Sequence, residues 1–170
     1  MKKLTLFNII NSILAVAYIT LLIVQRYKPF AGMPLADYWF PTLCMALGLS
    51  LVCKAIIFKS DSATWFGTYL ILNGATLFAS FYMPLNYTTL WPTLVSSAAL
   101  SSLIVGVFFR DWLHYKIAAF LAIIFVSFYL YAFKVLALGW FLLTFFGTVV
   151  FAVFVGSLIP ERFYLNKKEK

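Results

Sequence analysis

Acidic residues, histidine and cysteine are scarce in this sequence. Aspartate and glutamate together account for 5 of the 170 residues, and there are one histidine and two cysteines. Metal centres, acid–base pairs and activated nucleophiles are built mainly from these residue types. The sequence also has no Ser/His/Asp set, no glycine-rich phosphate loop and no acidic cluster. It therefore predicts no catalytic, cofactor-binding or metal-binding residue, no cofactor, and no enzyme activity.

Apolar residues are correspondingly abundant. They make up 64% of the chain, charged residues make up 11%, and the mean hydropathy is +0.98. A soluble domain is about half apolar and a quarter charged. An apolar excess of this size must face lipid, because the chain has too few polar residues to cover a water-exposed surface. The composition predicts a multi-pass protein of the bacterial cytoplasmic (inner) membrane.

Six apolar segments are each long enough, or nearly so, to cross a bilayer as a helix, which takes roughly 20 residues. Together they use almost the whole chain, so residues 1–170 are predicted to form a single transmembrane domain of the all-α class. The first segment follows Met1-Lys2-Lys3 without a small-residue cleavage motif and is expected to be retained. The boundary between the last two segments is the least defined. The segments are Leu4–Val24, Trp39–Phe58, Thr64–Met83, Leu90–Phe109, Ile117–Phe133 and Leu136–Leu158.

Basic residues are distributed unequally between the two sides that these segments define. The side with the N-terminus, the turns after segments two and four, and the basic tail 159–170 holds ten lysines and arginines; the other side holds Arg26, Lys28 and Lys134. The positive-inside rule therefore predicts that both termini are cytoplasmic. The same distribution explains the net charge of +8 by contact with membrane lipid, so no nucleic-acid partner is expected.

The chain repeats a short pattern at an offset of 51 residues. Trp39-Phe40-Pro41-Thr42-Leu43 opens segment two, and Leu90-Trp91-Pro92-Thr93-Leu94 opens segment four. Because one repeat contains two crossings, its copies must run the same way through the membrane. The pattern predicts three parallel-repeat helical hairpins, at about 4–59, 64–110 and 117–158. Each proline is expected in the first helical turn, where it removes no hydrogen bond.

The second hairpin resembles a known family of membrane regions. Gly67 to Ile71, Asn73-Gly74, Trp91-Pro92-Thr93-Leu94 and Arg110 are similar to the LiaI–LiaF-type transmembrane region of bacterial envelope-stress proteins. The chain departs from that family at Ala99, where glycine is usual, and in lacking a soluble β-domain. The three-hairpin layout also resembles the HdeD-type acid-resistance membrane proteins. Both resemblances imply a non-enzymatic role in the envelope with no bound substrate.

Three asparagines interrupt the apolar segments. Asn8 and Asn11 lie on one face of segment one, and Asn73 lies in segment three. Either they line a polar cavity or they form hydrogen bonds with neighbouring helices or backbone carbonyls, and we favour the bonds, each contributing roughly 0.6–2 kcal/mol. No aspartate, glutamate, arginine or histidine lies near the middle of a segment. Ion-coupled transporters usually carry such a residue.

Other patterns are interpreted as packing or as solvated turns. Ala98, Ser102 and Gly106 form a small-xxx-small stripe, which predicts close helix packing inside the protein. Asp111 and His114 are too few for a zinc site, so a solvated turn with an Asp111 contact to Arg110 or Lys116 is expected. Cys44 and Cys53 face opposite sides of a helix and cannot bridge.

The sequence thus favours a non-catalytic scaffold, sensor or regulator that acts through helix contacts. Its expected partners are membrane lipid and other membrane proteins or a second copy of the chain. The alternative is a small-molecule carrier or the substrate-binding membrane subunit of a transporter. That class also has about six helices, but the sequence shows no substrate-site signature for it.

The unequal distribution of basic residues makes the topology testable. Reporter fusions at residues 60–62 and in the tail should report the cytoplasm, and fusions at 30–36 and 85–88 should report the outer side, because translocating a lysine-rich segment is unfavourable. A C-terminus on the outer side, together with a cytoplasmic N-terminus, would mean an odd number of crossings and would contradict the six predicted ones.

Overall fold

The computed structural model describes residues 2–29, 34–81, 87–134 and 137–158, except for the side chains of 36, 87–90 and 151–158. All regular structure in these residues is α-helical, as predicted, and it forms six helices. Their positions agree with the predicted segments to within five residues at each end that the structure describes. The helices are α1 (Lys2–Tyr27), α2 (Leu35–Phe58), α3 (Asp61–Ser80), α4 (Tyr87–Phe109), α5 (Trp112–Ala132) and α6 (Leu138–Leu158).

Four of these helices are long and apolar enough to cross a membrane, which indicates a membrane protein. The qualifying stretches are Lys2–Tyr27, Asp37–Phe58, Trp91–Phe109 and Trp112–Ala132. Helix α3 has 20 residues but is less apolar, because it contains Asn73 and several threonines and glycines. In α6 the apolar stretch with described side chains is the shorter Leu138–Val150.

The expected position of the two prolines is wrong. Helix α2 begins at Leu35 and α4 at Tyr87, so Pro41 and Pro92 lie inside their helices rather than in the first turn. A proline there cannot donate to the carbonyl four residues earlier. The helices start early because the residues before the Trp-Pro pattern can also adopt helical geometry; Asp37 and Tyr38, for example, donate to the Pro34 carbonyl.

The turns after α2 and α4 have the same construction. Lys59 and Arg110 adopt left-handed backbone angles, with φ of 53° and 51°, and so end their helices. The next residues, Ser60 and Asp111, cap the following helix by accepting a hydrogen bond from the backbone N–H of Ala63 and of Leu113. Helices α3 and α5 therefore begin directly after polar capping residues, three to five residues before the predicted apolar segments.

Each helix packs substantially only on its neighbours in sequence within the described chain, so the helices form a row rather than a closed bundle. The closest packing joins α2 to α3 and α4 to α5 across the two short turns. The predicted hairpins 4–59 and 64–110 instead pair α1 with α2 and α3 with α4, which pack less closely.

Glycine brings α2 and α3 together. A Cβ atom added to Gly48 would lie 2.7 Å from the Gly67 carbonyl oxygen, and one added to Gly74 would lie 2.7 Å from the Pro41 carbonyl oxygen. These separations are too short for a real Cβ atom. The α2 and α3 backbones therefore touch directly, which maximises van der Waals contact where lipid provides no hydrophobic driving force.

Larger side chains join the other neighbouring helices. The rings of Phe7 and Phe58 meet edge to face between α1 and α2, and those of Trp91 and Phe128 do so between α4 and α5. Phe128 also contacts Phe141 of α6. Helix α1 has one buried side chain, Gln25, in its described length and lies at the edge of the row.

The glycine contact predicts an unequal response to Gly→Ala substitution. Gly48→Ala should destabilise the protein by about 1–3 kcal/mol, as overpacking in a rigid interface does. Gly147→Ala is the matched control because nothing lies within 4 Å of its Cβ position. Replacing this helical glycine should be neutral or stabilise by about 0.5–1 kcal/mol. Thermal unfolding in detergent measures both, and equal effects would contradict the proposed contact.

Candidate functional site

Buried polar side chains are concentrated on the two central helices. Of the six buried polar residues in the described chain, four lie on α3 and α4. Burying a polar group away from water is unfavourable unless it is hydrogen-bonded, so such a cluster is a candidate site. The six are Gln25, Asn73, Ser97, Ser101, Ser102 and Ser127.

The three predicted asparagines have different surroundings. The Asn11 amide oxygen accepts a 2.6 Å hydrogen bond from the Ser50 hydroxyl of α2, which confirms the interhelical bond predicted for it. Asn8 is exposed. The Asn73 amide donates to the Tyr69 carbonyl of its own helix at 2.8 Å. No described bond joins these asparagines to one another in a common polar cavity.

A side-chain hydrogen bond joins α3 to α4. The Trp65 indole N–H donates to the Ser102 hydroxyl at 2.8 Å, and the same hydroxyl donates to the Ala98 carbonyl at 2.9 Å. The indole also stacks on the Tyr69 ring, with centroids 5.1 Å apart. Sequence analysis did not identify this bond. The i, i+4, i+8 spacing of Trp65, Tyr69 and Asn73 was a usable signal, because it places all three on one helix face.

We call this polar contact region the α3–α4 seam and define it by Trp65, Tyr69, Asn73, Ser97, Ser101 and Ser102. Most of its side-chain polar groups are satisfied locally; Ser97, for example, donates to the Thr93 carbonyl. Two atoms in it are buried without a hydrogen-bond partner, the Asn73 amide oxygen and the Ser101 hydroxyl. Buried groups in this condition are uncommon in native proteins and call for an explanation.

The small-residue stripe on α4 packs inside the protein, as predicted. Ser102 is fully buried and bonds to Trp65 of α3. A Cβ atom on Gly106 would lie 3.2 Å from the Tyr115 ring of α5. The stripe therefore provides close contacts to both neighbours of α4.

In the turn between α4 and α5, the Asp111 carboxylate contacts His114, a hydrogen-bond partner that sequence analysis did not select. Asp111 Oδ2 lies 2.9 Å from Nδ1 of His114, one helical turn away, while Asp111 Oδ1 caps the helix by accepting from Leu113. Both side chains are partly exposed. Within the described residues no group of three metal-ligating side chains occurs, and both cysteines are free.

Comparison with known proteins adds no relative to this description. No family model, curated protein or solved structure matches the chain.

A double-mutant cycle tests the bond between α3 and α4. Trp65→Phe and Ser102→Ala should each destabilise the protein, and the double variant should lose less than the sum of the two. The coupling should be roughly 0.6–1.7 kcal/mol, as measured for side-chain bonds between membrane helices. Thermal unfolding of the four proteins gives the coupling. Additive losses would indicate that the indole and the hydroxyl do not interact.

Proposed function

We propose that the chain is a non-catalytic, multi-pass protein of the bacterial cytoplasmic membrane, with six crossings and both termini in the cytoplasm. The excess of basic residues on one side supports this topology. The capped turns after α2 and α4, with Lys59 and Arg110 at their helix ends, fit two short loops on that basic side.

The proposed role is that of a scaffold, sensor or regulator that acts through helix contacts. The observation that carries it is how the described helices use their polar side chains. Serine and threonine hydroxyls mostly donate to a carbonyl three or four residues earlier on the same helix, as Thr68 and Ser127 do. Such bonds leave little polar chemistry for a substrate. The resemblance to LiaI–LiaF-type and HdeD-type proteins supports an envelope role, with lipid and membrane proteins, or a second copy, as partners.

The proposal includes an internal repeat of 51 residues. At this offset Pro41, Gly48 and Ala55 of α2 correspond to Pro92, Ala99 and Gly106 of α4, and all six residues are buried. Lys59 and Arg110 also correspond at this offset, and both adopt left-handed backbone angles. A unit that runs from α2 into α3 fits this repeat as well as units at 4–59 and 64–110 do.

A carrier, or the substrate-binding membrane subunit of a transporter, is the second candidate. One observation favours it: the Asn73 amide oxygen and the Ser101 hydroxyl are buried without partners on the two central helices. A polar substrate passing between α3 and α4 would meet both atoms.

Complementation of a deletion strain distinguishes the two roles. If the protein acts through its outer helix faces, Val16→Trp on α1 or Leu143→Trp on α6 should abolish complementation of the envelope-stress phenotype without lowering protein level. Both positions are about two-thirds exposed, at 64% and 63%, so lipid accommodates the larger ring but a packed partner helix does not.

Asn73→Leu serves as the opposing variant in the same assay. For a scaffold or regulator, its activity should fall only as far as the amount of folded protein falls. Loss of activity at wild-type protein level and stability, with both tryptophan variants active, would favour the carrier instead.

A further inference from the structure

A groove lies between α1 and α2, the two helices at one end of the row. Its volume is about 360 Å³, which is within the size range of small-ligand pockets. On α1 its wall is formed by Leu14, Ala17, Tyr18 and Leu21, whose spacing places them on one helix face. Ile71 of α3 also lines it. The groove therefore follows the axis of α1 along the looser α1–α2 contact.

Two hydrogen bonds hold α1 beside α2 near the two ends of this groove. Toward the start of α1, the Ser50 hydroxyl donates to the Asn11 amide oxygen at 2.6 Å. Further along α1, the Tyr18 hydroxyl donates to the Trp39 carbonyl at 2.9 Å. Between the two bonds, small side chains such as Ala17 leave the space between the helices unfilled. The helices are thus joined on both sides of a gap that neither of them closes.

The chemistry of the groove suits hydrocarbon. Its two hydroxyls already donate to backbone carbonyls of α2, that of Tyr18 to Trp39 and that of Thr42 to Tyr38. Its other described lining residues are leucine, alanine, isoleucine and methionine. A polar solute would lose hydrogen bonds on entering such a site, whereas an acyl chain has none to lose.

The depth of the groove corresponds to one leaflet of a bilayer. Leu14 lies midway along α1 (Lys2–Tyr27), about 20 Å before its last residue, and the α1 wall extends about 10 Å from Leu14 to Leu21. The hydrocarbon of one leaflet is about 15 Å thick. In the topology proposed above, the groove begins near the middle of the membrane and runs into the outer leaflet, as an acyl chain of that leaflet does.

A lysine stands over the outer end of the groove. Leu14, Leu21 and Lys28 are spaced by seven residues, or about two turns, and so follow one face of α1. The Lys28 N–H still donates to the Val24 carbonyl at 2.8 Å, so the backbone keeps its helical course up to this residue. Gln25, on the same face, is 3% exposed, whereas Lys28 is exposed. The face is therefore covered below Lys28 and open to the headgroup region at Lys28.

The other charged residues of the outer side do not share this position. Arg26 on α1 and Asp37 on α2 each lie about 130° around their helix from the centre of its groove face. Lys134 follows α5, and α1 packs substantially only on α2 within the described chain. Lys28 is thus the charge that a headgroup above the groove would meet.

We propose that the α1–α2 groove binds one acyl chain of an anionic phospholipid of the outer leaflet, with the lipid phosphate at the Lys28 ammonium group. This assignment rests on the proposed function, since it specifies the lipid partner and uses the proposed topology. A zwitterionic phospholipid has the same acyl chains, but its lack of net charge gives it less attraction to a lysine. The site therefore selects its lipid by headgroup charge and holds it by the chain.

Lipid titration followed by native mass spectrometry of the detergent-solubilised protein tests the headgroup contact. Phosphatidylglycerol should bind as a single copy, about fivefold more tightly than phosphatidylcholine with the same chains, which is the effect of one basic residue. Lys28→Gln should remove this preference by weakening phosphatidylglycerol binding about fivefold, with phosphatidylcholine unchanged. Arg26→Gln is the matched control, because it removes a neighbouring positive charge on another face, and it should leave the preference intact.

The groove itself is tested by filling it. Ala17→Phe places a ring in the space that the acyl chain would occupy and should remove the one-lipid species for both lipids. Val16→Phe, at the adjacent position and 64% exposed, should retain it. Both variants are compared with wild type at equal folded fraction, measured by thermal unfolding.

Three results would overturn the lipid site: unchanged phosphatidylglycerol affinity in Lys28→Gln, an equal loss in Arg26→Gln, or a lipid retained by Ala17→Phe but not by Val16→Phe. None of them bears on the topology, because both ends of the protein are accessible in detergent. Reporter fusions at 30–36 that reported the cytoplasm would instead overturn the proposed topology and the outer-leaflet assignment, with lipid binding in detergent unaffected.

Discussion

Direct backbone contact between α2 and α3 is the interaction on which the arrangement of helices depends most. Hydrocarbon surrounds a membrane helix as favourably as an apolar neighbour does, so association must come from close packing and from hydrogen bonds. Gly48, Gly67 and Gly74 remove the side chains that would otherwise separate the two backbones. The short capped turn at Lys59 and Ser60 holds the helices together at one end, and α1 and α4 then pack on the outer sides of this pair.

Side-chain hydrogen bonds have a different role in this structure from that of the glycine contacts. Most hydroxyls bond within their own helix, and few side-chain bonds cross between helices; two that do are Asn11 with Ser50 and Trp65 with Ser102. The first holds a peripheral helix, and the second lies at the centre of the row. Polar side chains thus orient the weaker α1–α2 and α3–α4 contacts, whereas small residues produce the closest ones.

The positions of the helices could be predicted because apolar runs of about 20 residues have few alternatives in a membrane. The residues at which the helices start could not be predicted from apolar runs alone. Such runs omit first turns that contain polar residues, as in the helices capped by Ser60 and Asp111. The interhelical role of Asn11 followed from the chemistry of an amide in lipid. The hydrogen bond of Trp65 could not be predicted in the same way, because tryptophan in a membrane protein also commonly lies at the headgroup level. Only the position of Ser102 on the neighbouring helix reveals the bond.

The order of the helices in the row also governs how the chain can assemble. Because every substantial contact among the described residues joins consecutive helices, these helices do not have to wait for a distant partner to be synthesised. Contacts that are local in sequence require little loop closure, and a chain rich in them folds quickly. Each helix can therefore pack on the one made just before it, in the order in which the ribosome delivers them. The order of the helices in the row therefore matches the order of their synthesis. Helix α1 can pack as soon as α2 has been made, and α6 packs last.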